Sequence, residues 1–78
     1  MTHPSHSVVM WRMQRPGGLA SHLVIEPQES GALAAWFVNG RAQGLRSFDD
    51  VGGAIRFSDR MQHQNWAVGW RLVEDPLA

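Results

Sequence analysis

Alternation of apolar and polar positions predicts strands through the first half of the chain. The segment 8–13, VVMWRM, places Val9, Trp11 and Met13 on one side, which is typical of a strand buried mainly on one face. The following tripeptide, Pro-Gly-Gly, combines a fixed φ with two permissive residues and favours a turn. A second strand is therefore predicted over 20–26, ending before Pro27.

The strongest local pattern is the dipeptide Asn39-Gly40, which lies between two runs of strand-forming residues. Both central positions of a type I′ turn need positive φ, and Asn and Gly tolerate it best. We therefore predict a hairpin formed by the third and fourth strands. A two-residue loop sets its register, with the expected pairs Val38–Arg41, Trp36–Gln43 and Ala34–Leu45.

One face of this hairpin combines small residues with two Phe, and we expect it to be the core side. Small residues would let a helix approach closely while Phe37 and Phe48 fill the flanks. The expected core positions are Leu33, Ala35, Phe37, Ala42, Gly44 and Phe48. Trp36, Arg41 and Gln43 would then face outward. A three-residue bulged loop is the alternative, and it would exchange the faces on one strand.

After Phe48 the period changes from two residues to three and four. Apolar and small residues recur at Val51, Ala54, Ile55, Ser58 and Met61, which predicts a helix from about Asp50 to Gln62. Either Ser47 and Asp50 form a capping box at its start, or Asp49 caps it directly. The segment 66–74 alternates again, with Trp66, Val68, Trp70 and Leu72 on one side, and predicts a final strand.

The predicted order is β-β-β-β-α-β, which indicates an α+β domain with an antiparallel sheet of four to five strands and one helix on one face. We expect residues 1–7 to be a flexible leader, 8–74 the single domain and 75–78 a tail. One helix cannot cover a five-stranded sheet. Part of the opposite face is therefore expected to stay open to water, a partner or a second copy.

Composition narrows the functional classes. The 78 residues include no Cys, so a disulfide-linked scaffold is excluded. Seven Arg, without any Lys, balance seven acidic residues, so direct nucleic-acid binding is not expected. No apolar run approaches the roughly 20 residues that span a bilayer, and no N-terminal signal is recognisable. A cytoplasmic location without membrane contact is expected. Four Trp in so small a chain suit both core positions and interfaces.

The residue types that carry chemistry do not form a recognisable site. The four His lack metal-ligand spacing, so no metal or other cofactor is expected. Ser58, Asp59 and His63 superficially resemble a triad, yet Asp59 and His63 are better explained as a pair one helical turn apart. The glycines at 52–53 lack the Lys or Ser/Thr of a phosphate-binding loop. We expect no catalytic residues and no enzymatic activity.

The segment Val38 to Asp49, VNGRAQGLRSFD, resembles the hairpin-to-helix segment of some small phage anti-CRISPR proteins that inhibit type I systems. The resemblance covers about a dozen residues and implies a non-enzymatic inhibitor that blocks a surface of a CRISPR surveillance complex or its nuclease, in the host cytoplasm. From the residues, we expect binding to another protein through Trp36, Arg41, Gln43 and Arg71. The alternatives are an accessory nucleic-acid-binding module and a homodimeric structural subunit.

Overall fold

The computed structural model describes residues 7–73. The expected tail and nearly all of the expected leader lie outside this range. The chain forms a five-stranded antiparallel sheet and one helix, which confirms the predicted α+β fold and its β-β-β-β-α-β order. The strands lie across the sheet in the order β4-β3-β2-β1-β5. The elements are β1 Val8–Arg15, β2 Leu19–Gln28, β3 Gly31–Val38, β4 Arg41–Phe48, α1 Val51–Ala67 and β5 Arg71–Leu72.

The predicted hairpin turn is present. Asn39 and Gly40 have φ of 51° and 80°, as a type I′ turn requires, and Val38 pairs with Arg41 across them. The Asn39 side chain also anchors the turn to β2, because its Oδ1 accepts a hydrogen bond from Ala20 N at 2.9 Å. In return, Asn39 N donates to Ala20 O at 2.7 Å. The turn is thus tied to the neighbouring strand β2 as well as to the two strands of its own hairpin.

A bulge in β4 changes the register beyond the turn. Trp36 pairs with Gly44 and Phe37 with Ala42, which leaves Gln43 as an extra residue. The predicted Trp36–Gln43 pair is therefore wrong. The predicted Ala34–Leu45 pair is wrong for the same reason, since the bulge displaces every later residue of β4 by one position.

The indole of Trp36 lies across the backbone of Gly44. A Cβ atom on Gly44 would overlap Cζ2 of that ring, so only glycine leaves room for it. Close approach of an aromatic ring explains why a glycine occupies a strand interior at this position.

The core face of the hairpin is the opposite of the predicted one on β3. Ala32 and Ala34 are buried beneath the helix and Trp36 packs against the same core, so Trp36 does not face outward as expected. The predicted core positions Leu33, Ala35, Phe37 and Ala42 lie on the other face. Phe48 and Gly44 of β4 do lie on the helix side, because the bulge brings them into phase with Trp36.

Pairing with β2 explains this choice of face. Leu23 pairs with Trp36 and Ile25 pairs with Ala34, and both Leu23 and Ile25 are buried. Since paired residues share a face of the sheet, β2 determines which side of β3 meets the helix. A second irregularity in strand pairing lies at Met10 of β1. It places Val9 on the face opposite the helix, whereas Trp11 and Met13 are buried on the helix side, so the prediction that these three share a face is wrong for Val9.

Small residues bring the helix close to the sheet. Ala54 of α1 packs with Ala32 and Ala34, and Trp11 Nε1 donates a hydrogen bond to Ser58 O at 3.1 Å. This bond ties the centre of α1 to β1. The buried apolar core consists of Trp11, Met13, Leu23, Ile25, Ala32, Ala34, Ala54 and Trp70.

The helix begins near its predicted start and ends later than predicted. Asp50 is the N-cap residue, and its Oδ1 accepts a hydrogen bond from Gly53 N at 2.6 Å. Neither the Ser47 capping box nor an Asp49 cap is formed. The predicted strand over 66–74 is also wrong for its first residues, because Trp66 still belongs to α1.

Gly69 separates the helix from the short strand β5. Its φ is 105°, and its N donates a hydrogen bond to Trp66 O at 3.2 Å, so it closes the helix in the left-handed conformation that glycine favours. Trp70 N then donates to Asn65 O at 3.0 Å. The alternation that predicted one long strand is thus divided between a helix end, a turn and a two-residue strand.

Candidate protein-binding surfaces

The four residues predicted to contact a partner do not form one cluster. Trp36 and Gln43 line the same cleft on the helix side of the sheet. Arg41 is exposed beside them at the end of the hairpin, where its carbonyl oxygen accepts a hydrogen bond from Gln43 Nε2 at 3.3 Å. Arg71 lies on β5, at the opposite edge of the sheet from β4. The structure therefore brings three of the four together and separates the fourth.

The face of the sheet opposite the helix carries a continuous apolar row, which we call the apolar row of the uncovered face. Strand pairing aligns its four members, one from each of β1 to β4, and they are Val9, Val24, Ala35 and Leu45. Leu45 is 67% exposed and Val9 is 41% exposed. The row thus has an exposed large apolar side chain at each end and partly exposed apolar members between them, and contiguous apolar surface of this kind marks interaction sites.

Polar and aromatic side chains border this row on both sides. On one side the pairing aligns Arg12, His22 and Phe37, and the His22 and Phe37 rings stack at 4.6 Å between centroids with an interplanar angle of 10°. On the other side lie Glu26 and Leu33. The uncovered face therefore has an apolar centre with a cation on one side and a carboxylate on the other, the layout of a protein-binding surface with a polar rim.

A second feature is a cleft of about 300 Å³ on the helix side, beyond the last turns of α1, which we call the aromatic cleft. It is lined by three of the four Trp together with uncharged polar side chains. Ser21 is only 6% exposed, and its Oγ has no hydrogen-bond partner. The lining residues are Trp11, Ser21, Trp36, Val38, Gln43, Met61, Gln64, Asn65 and Trp70.

The end of the helix carries a third exposed group. The guanidinium of Arg71 lies 4.3 Å from the ring centroid of Trp66, which is 56% exposed. Nη1 of Arg71 donates hydrogen bonds to Trp66 O at 2.9 Å and to Trp70 O at 2.8 Å. The arginine thus bonds one carbonyl of the last helical turn and one just beyond it, and it stacks on an aromatic ring, so most of its geometry is already fixed within the domain.

Ser58 and His63, which were considered as catalytic residues, differ in their exposure to solvent. Ser58 is fully buried between helix and sheet, whereas His63 is exposed. Nδ1 of His63 lies 3.0 Å from the backbone carbonyl oxygen of Asp59, so the ring contacts the main chain of Asp59. Within residues 7–73 no three His, Asp or Glu side chains are grouped so that they could hold a metal ion.

No protein-family model matches the chain, and neither a curated protein nor a solved structure matches it. Within the described range, the helix is too short and too polar to cross a membrane.

Sequence reasoning expected an open face of the sheet but assigned the wrong residues of β3 to it, and it found only part of the aromatic cleft. Val24 and Leu45 were not singled out, although their neighbours Leu23 and Ile25 give β2 a clear alternation that could have assigned the faces. Ser21 carried no signal of its own, because a serine in a strand is ordinary until its burial is known.

Proposed function

We propose that the protein is a small non-enzymatic inhibitor that acts by binding another protein through the uncovered face of its sheet. The observation that carries this proposal is the apolar row, which crosses four strands in contact with solvent. Its central members, Val24 and Ala35, are half-buried by their neighbours and rigidly held by strand pairing. Such a surface needs little ordering when a partner binds, which favours affinity.

The border of the row defines the chemistry of the partner. Arg12 and Glu26 lie on opposite sides of it, so a matching partner presents an apolar ridge with an acidic group on one side and a basic group on the other. The His22–Phe37 stack adds a flat aromatic contact beside Arg12. Aromatic and arginine side chains contribute disproportionately to binding energy at interfaces.

The target implied by the resemblance of the hairpin is a type I CRISPR surveillance complex or its nuclease, met in the host cytoplasm. We propose these assemblies as the first partners to test. The hairpin residues Arg41 and Gln43, and Arg71 on β5, are proposed as additional contacts at the edges of the domain, since all three have polar groups near the surface.

The test is capture of purified type I effector complexes by the immobilised protein and by a Leu45→Glu variant. Leu45 is 67% exposed, so a carboxylate there is compatible with the fold but places a charge within the apolar row. We expect loss of capture and of inhibition of target cleavage. Val68→Glu is the matched control, because Val68 is 61% exposed at the helix end and lies outside the apolar row.

Normal capture by Leu45→Glu would remove the uncovered face from consideration. A Trp36→Ala and Arg41→Ala double variant then examines the hairpin edge in the same assay. Because Trp36 packs against the core, capture is compared only while this variant remains folded; if it alone then loses capture, the partner binds on the helix side of the sheet. If neither variant changes an established capture, the binding surface lies elsewhere.

A second copy of the chain is the alternative occupant of the uncovered face. The face carries one cation and one carboxylate on opposite sides of the apolar row, so two copies related by a two-fold axis could pair Arg12 with Glu26. Light scattering would give twice the monomer mass for such a dimer, and Leu45→Glu would return it to the monomer. For the nucleic-acid alternative, a gel-shift titration must show affinity that falls steeply with salt.

A further inference from the structure

The dipeptide at the tip of the β3–β4 hairpin, Asn39-Gly40, is chemically reactive as well as turn-forming. The backbone N of a glycine attacks a preceding asparagine carboxamide more readily than that of a larger residue, because glycine has no side chain to hinder the approach. Both residues are exposed, so water and hydroxide reach them. The other asparagine of the chain, Asn65, is followed by the bulky Trp66. Of the two asparagines, Asn39 is therefore the one disposed to lose its amide.

Deamidation at this dipeptide needs only water as a co-reactant. A base in the solvent removes the proton of Gly40 N, which then forms a bond with Cγ of Asn39. The bond from Cγ to Nδ2 breaks, and ammonia leaves with a proton taken from water. Water next opens the resulting five-membered imide at either carbonyl. Cleavage between Cγ and Gly40 N gives aspartate, and cleavage between the backbone carbonyl carbon and Gly40 N gives isoaspartate.

The native turn holds the two reacting atoms apart. Asn39 has a φ of 51° and Gly40 a φ of 80°, as in a type I′ turn. The first central residue of such a turn has a ψ of about +30°. At that ψ, Cβ of Asn39 and the N of Gly40 lie nearly opposite each other about the Cα–C bond. Ring closure needs both on the same side of that bond, because reacting atoms must first come into close contact. The turn must therefore open before Asn39 reacts.

Two hydrogen bonds to β2 hold Asn39 in this unreactive conformation. Its Oδ1 accepts from Ala20 N at 2.9 Å, and its N donates to Ala20 O at 2.7 Å. The pair Val38–Arg41 closes the turn on the hairpin side. Rotation about the Cα–C bond of Asn39 would displace Gly40 and Arg41 together and break that pair. The carboxamide that reacts is thus also the group that anchors the turn.

We propose that Asn39 is a deamidation site that the fold keeps closed, and that it reacts only in molecules whose hairpin tip has detached from β2. When opening and closing are fast compared with the reaction, the rate is proportional to the open fraction. Isoaspartate adds one atom to the backbone, so the two-residue loop no longer fits between Val38 and Arg41. Its formation therefore converts a transient opening of the hairpin into a lasting one.

The test compares the same reaction in the folded and the unfolded protein. The full chain is kept in mildly alkaline buffer with and without guanidinium chloride, and peptide mass spectrometry follows aspartate and isoaspartate at both asparagine positions. Conversion of Asn39 is expected to be at least about tenfold slower in the folded protein, because only the open fraction reacts. Asn65 is the internal control and should convert much more slowly than Asn39 in the unfolded chain.

Two variants at one position examine the anchor. Ala20→Pro removes the N–H that donates to Asn39 Oδ1, at an exposed position near the start of β2 where proline is tolerated. Ala20→Val keeps the N–H and is the matched control. Ala20→Pro should accelerate conversion of Asn39 in the folded protein by roughly two- to tenfold, as the loss of one hydrogen bond implies. Ala20→Val should leave the rate unchanged. Circular dichroism establishes that each variant is folded before the rates are compared.

Three results would overturn the proposal. One is conversion of Asn39 at the same rate in the folded and the unfolded protein. Another is an unfolded chain in which Asn39 converts no faster than Asn65. The third is a folded Ala20→Pro variant that reacts no faster than Ala20→Val. The first two results decide the proposal even if Ala20→Pro fails to fold. None of these measurements involves a partner, so their outcome leaves the proposed protein-binding function to its own test.

Discussion

The two faces of the sheet are built by the same strands but differ in the size and environment of their side chains. On the helix side, β3 presents Ala32 and Ala34, which are buried under Ala54 of the helix. On the uncovered side, the same strand presents Leu33 and Phe37, which are only half-buried. Thus β3 presents small residues beneath the helix, with Trp36 packed beyond them, and leaves Leu33 and Phe37 on the face that no element of the described domain covers.

This difference shows that apolar bulk does not by itself identify the core face of a strand. A helix packed on a sheet needs small residues where the backbones come closest, and Ala54 against Ala32 and Ala34 meets that need. The bulk of that core is supplied by Leu23 and Ile25 of β2 and by Trp11 of β1. Large apolar residues on the other face are therefore available for binding, since packing within the domain does not consume them.

The largest expected effect is that of removing bulk from the covered face. Leu23 is fully buried, so Leu23→Ala should lower the free energy of unfolding by about 2 to 5 kcal/mol through lost burial and a cavity. For a domain of this size that loss is close to its whole stability. Urea titration followed by Trp fluorescence measures it. Leu23→Met keeps the volume and should cost less than about 1.5 kcal/mol.

The next effect concerns the contact of Trp36 with Gly44. A methyl group on Gly44 would overlap the indole, so Gly44→Ala should lower the free energy of unfolding by about 1 to 3 kcal/mol. Because the clash involves one ring, Gly44→Ala should cost much less in a Trp36→Ala background. Strictly additive costs in this double-mutant cycle, measured by urea titration, would show that Trp36 does not lie across Gly44.

A smaller effect on the free energy of unfolding is expected at the start of α1, the helix that covers one of the two faces. Asp50 Oδ1 accepts a hydrogen bond from Gly53 N, so Asp50→Ala should lower the free energy of unfolding by about 1 kcal/mol. Asp49→Ala removes the same charge from the adjacent position without removing the cap and is the matched control. Equal losses in thermal unfolding of the two variants would point to net charge instead of capping.

The smallest effect on stability is expected on the uncovered face. Leu45 is mostly exposed, so Leu45→Ala should change the free energy of unfolding by no more than about 0.5 kcal/mol. The urea midpoint measures this change. A loss comparable to that of Leu23→Ala would mean that the two faces are equally buried in solution, as a tight homodimer would require. Concentration dependence of the midpoint separates that case from a monomer.

Local chemistry made much of the fold predictable. The Asn39-Gly40 turn, the strands on either side of it and the helix after Asp50 all follow from short-range rules, and each is present. The end of the helix was less predictable. Trp66, Val68, Trp70 and Leu72 alternate like a strand, but Gly69 takes a positive φ and divides them between two elements.

The candidate site could be predicted only in part. Trp36 and Gln43 were predicted as partner contacts from their residue types, and both line one cleft. That cleft lies on the helix side of the sheet, whereas both residues were expected to face outward. The sequence contains small residues in both phases of the hairpin, at Ala34 as well as at Ala35, so alternation alone leaves two assignments open.

The sequence by itself determined the order of elements, the hairpin turn, the neutral charge balance and the presence of more strand surface than one helix can cover. Only the tertiary structure decided which face is covered. Pairing with β2 sets the phase of β3, and the bulge at Gln43 resets the phase of β4. The physical reason is that a strand's two faces are equivalent to local rules, and only contacts between residues distant in sequence distinguish them.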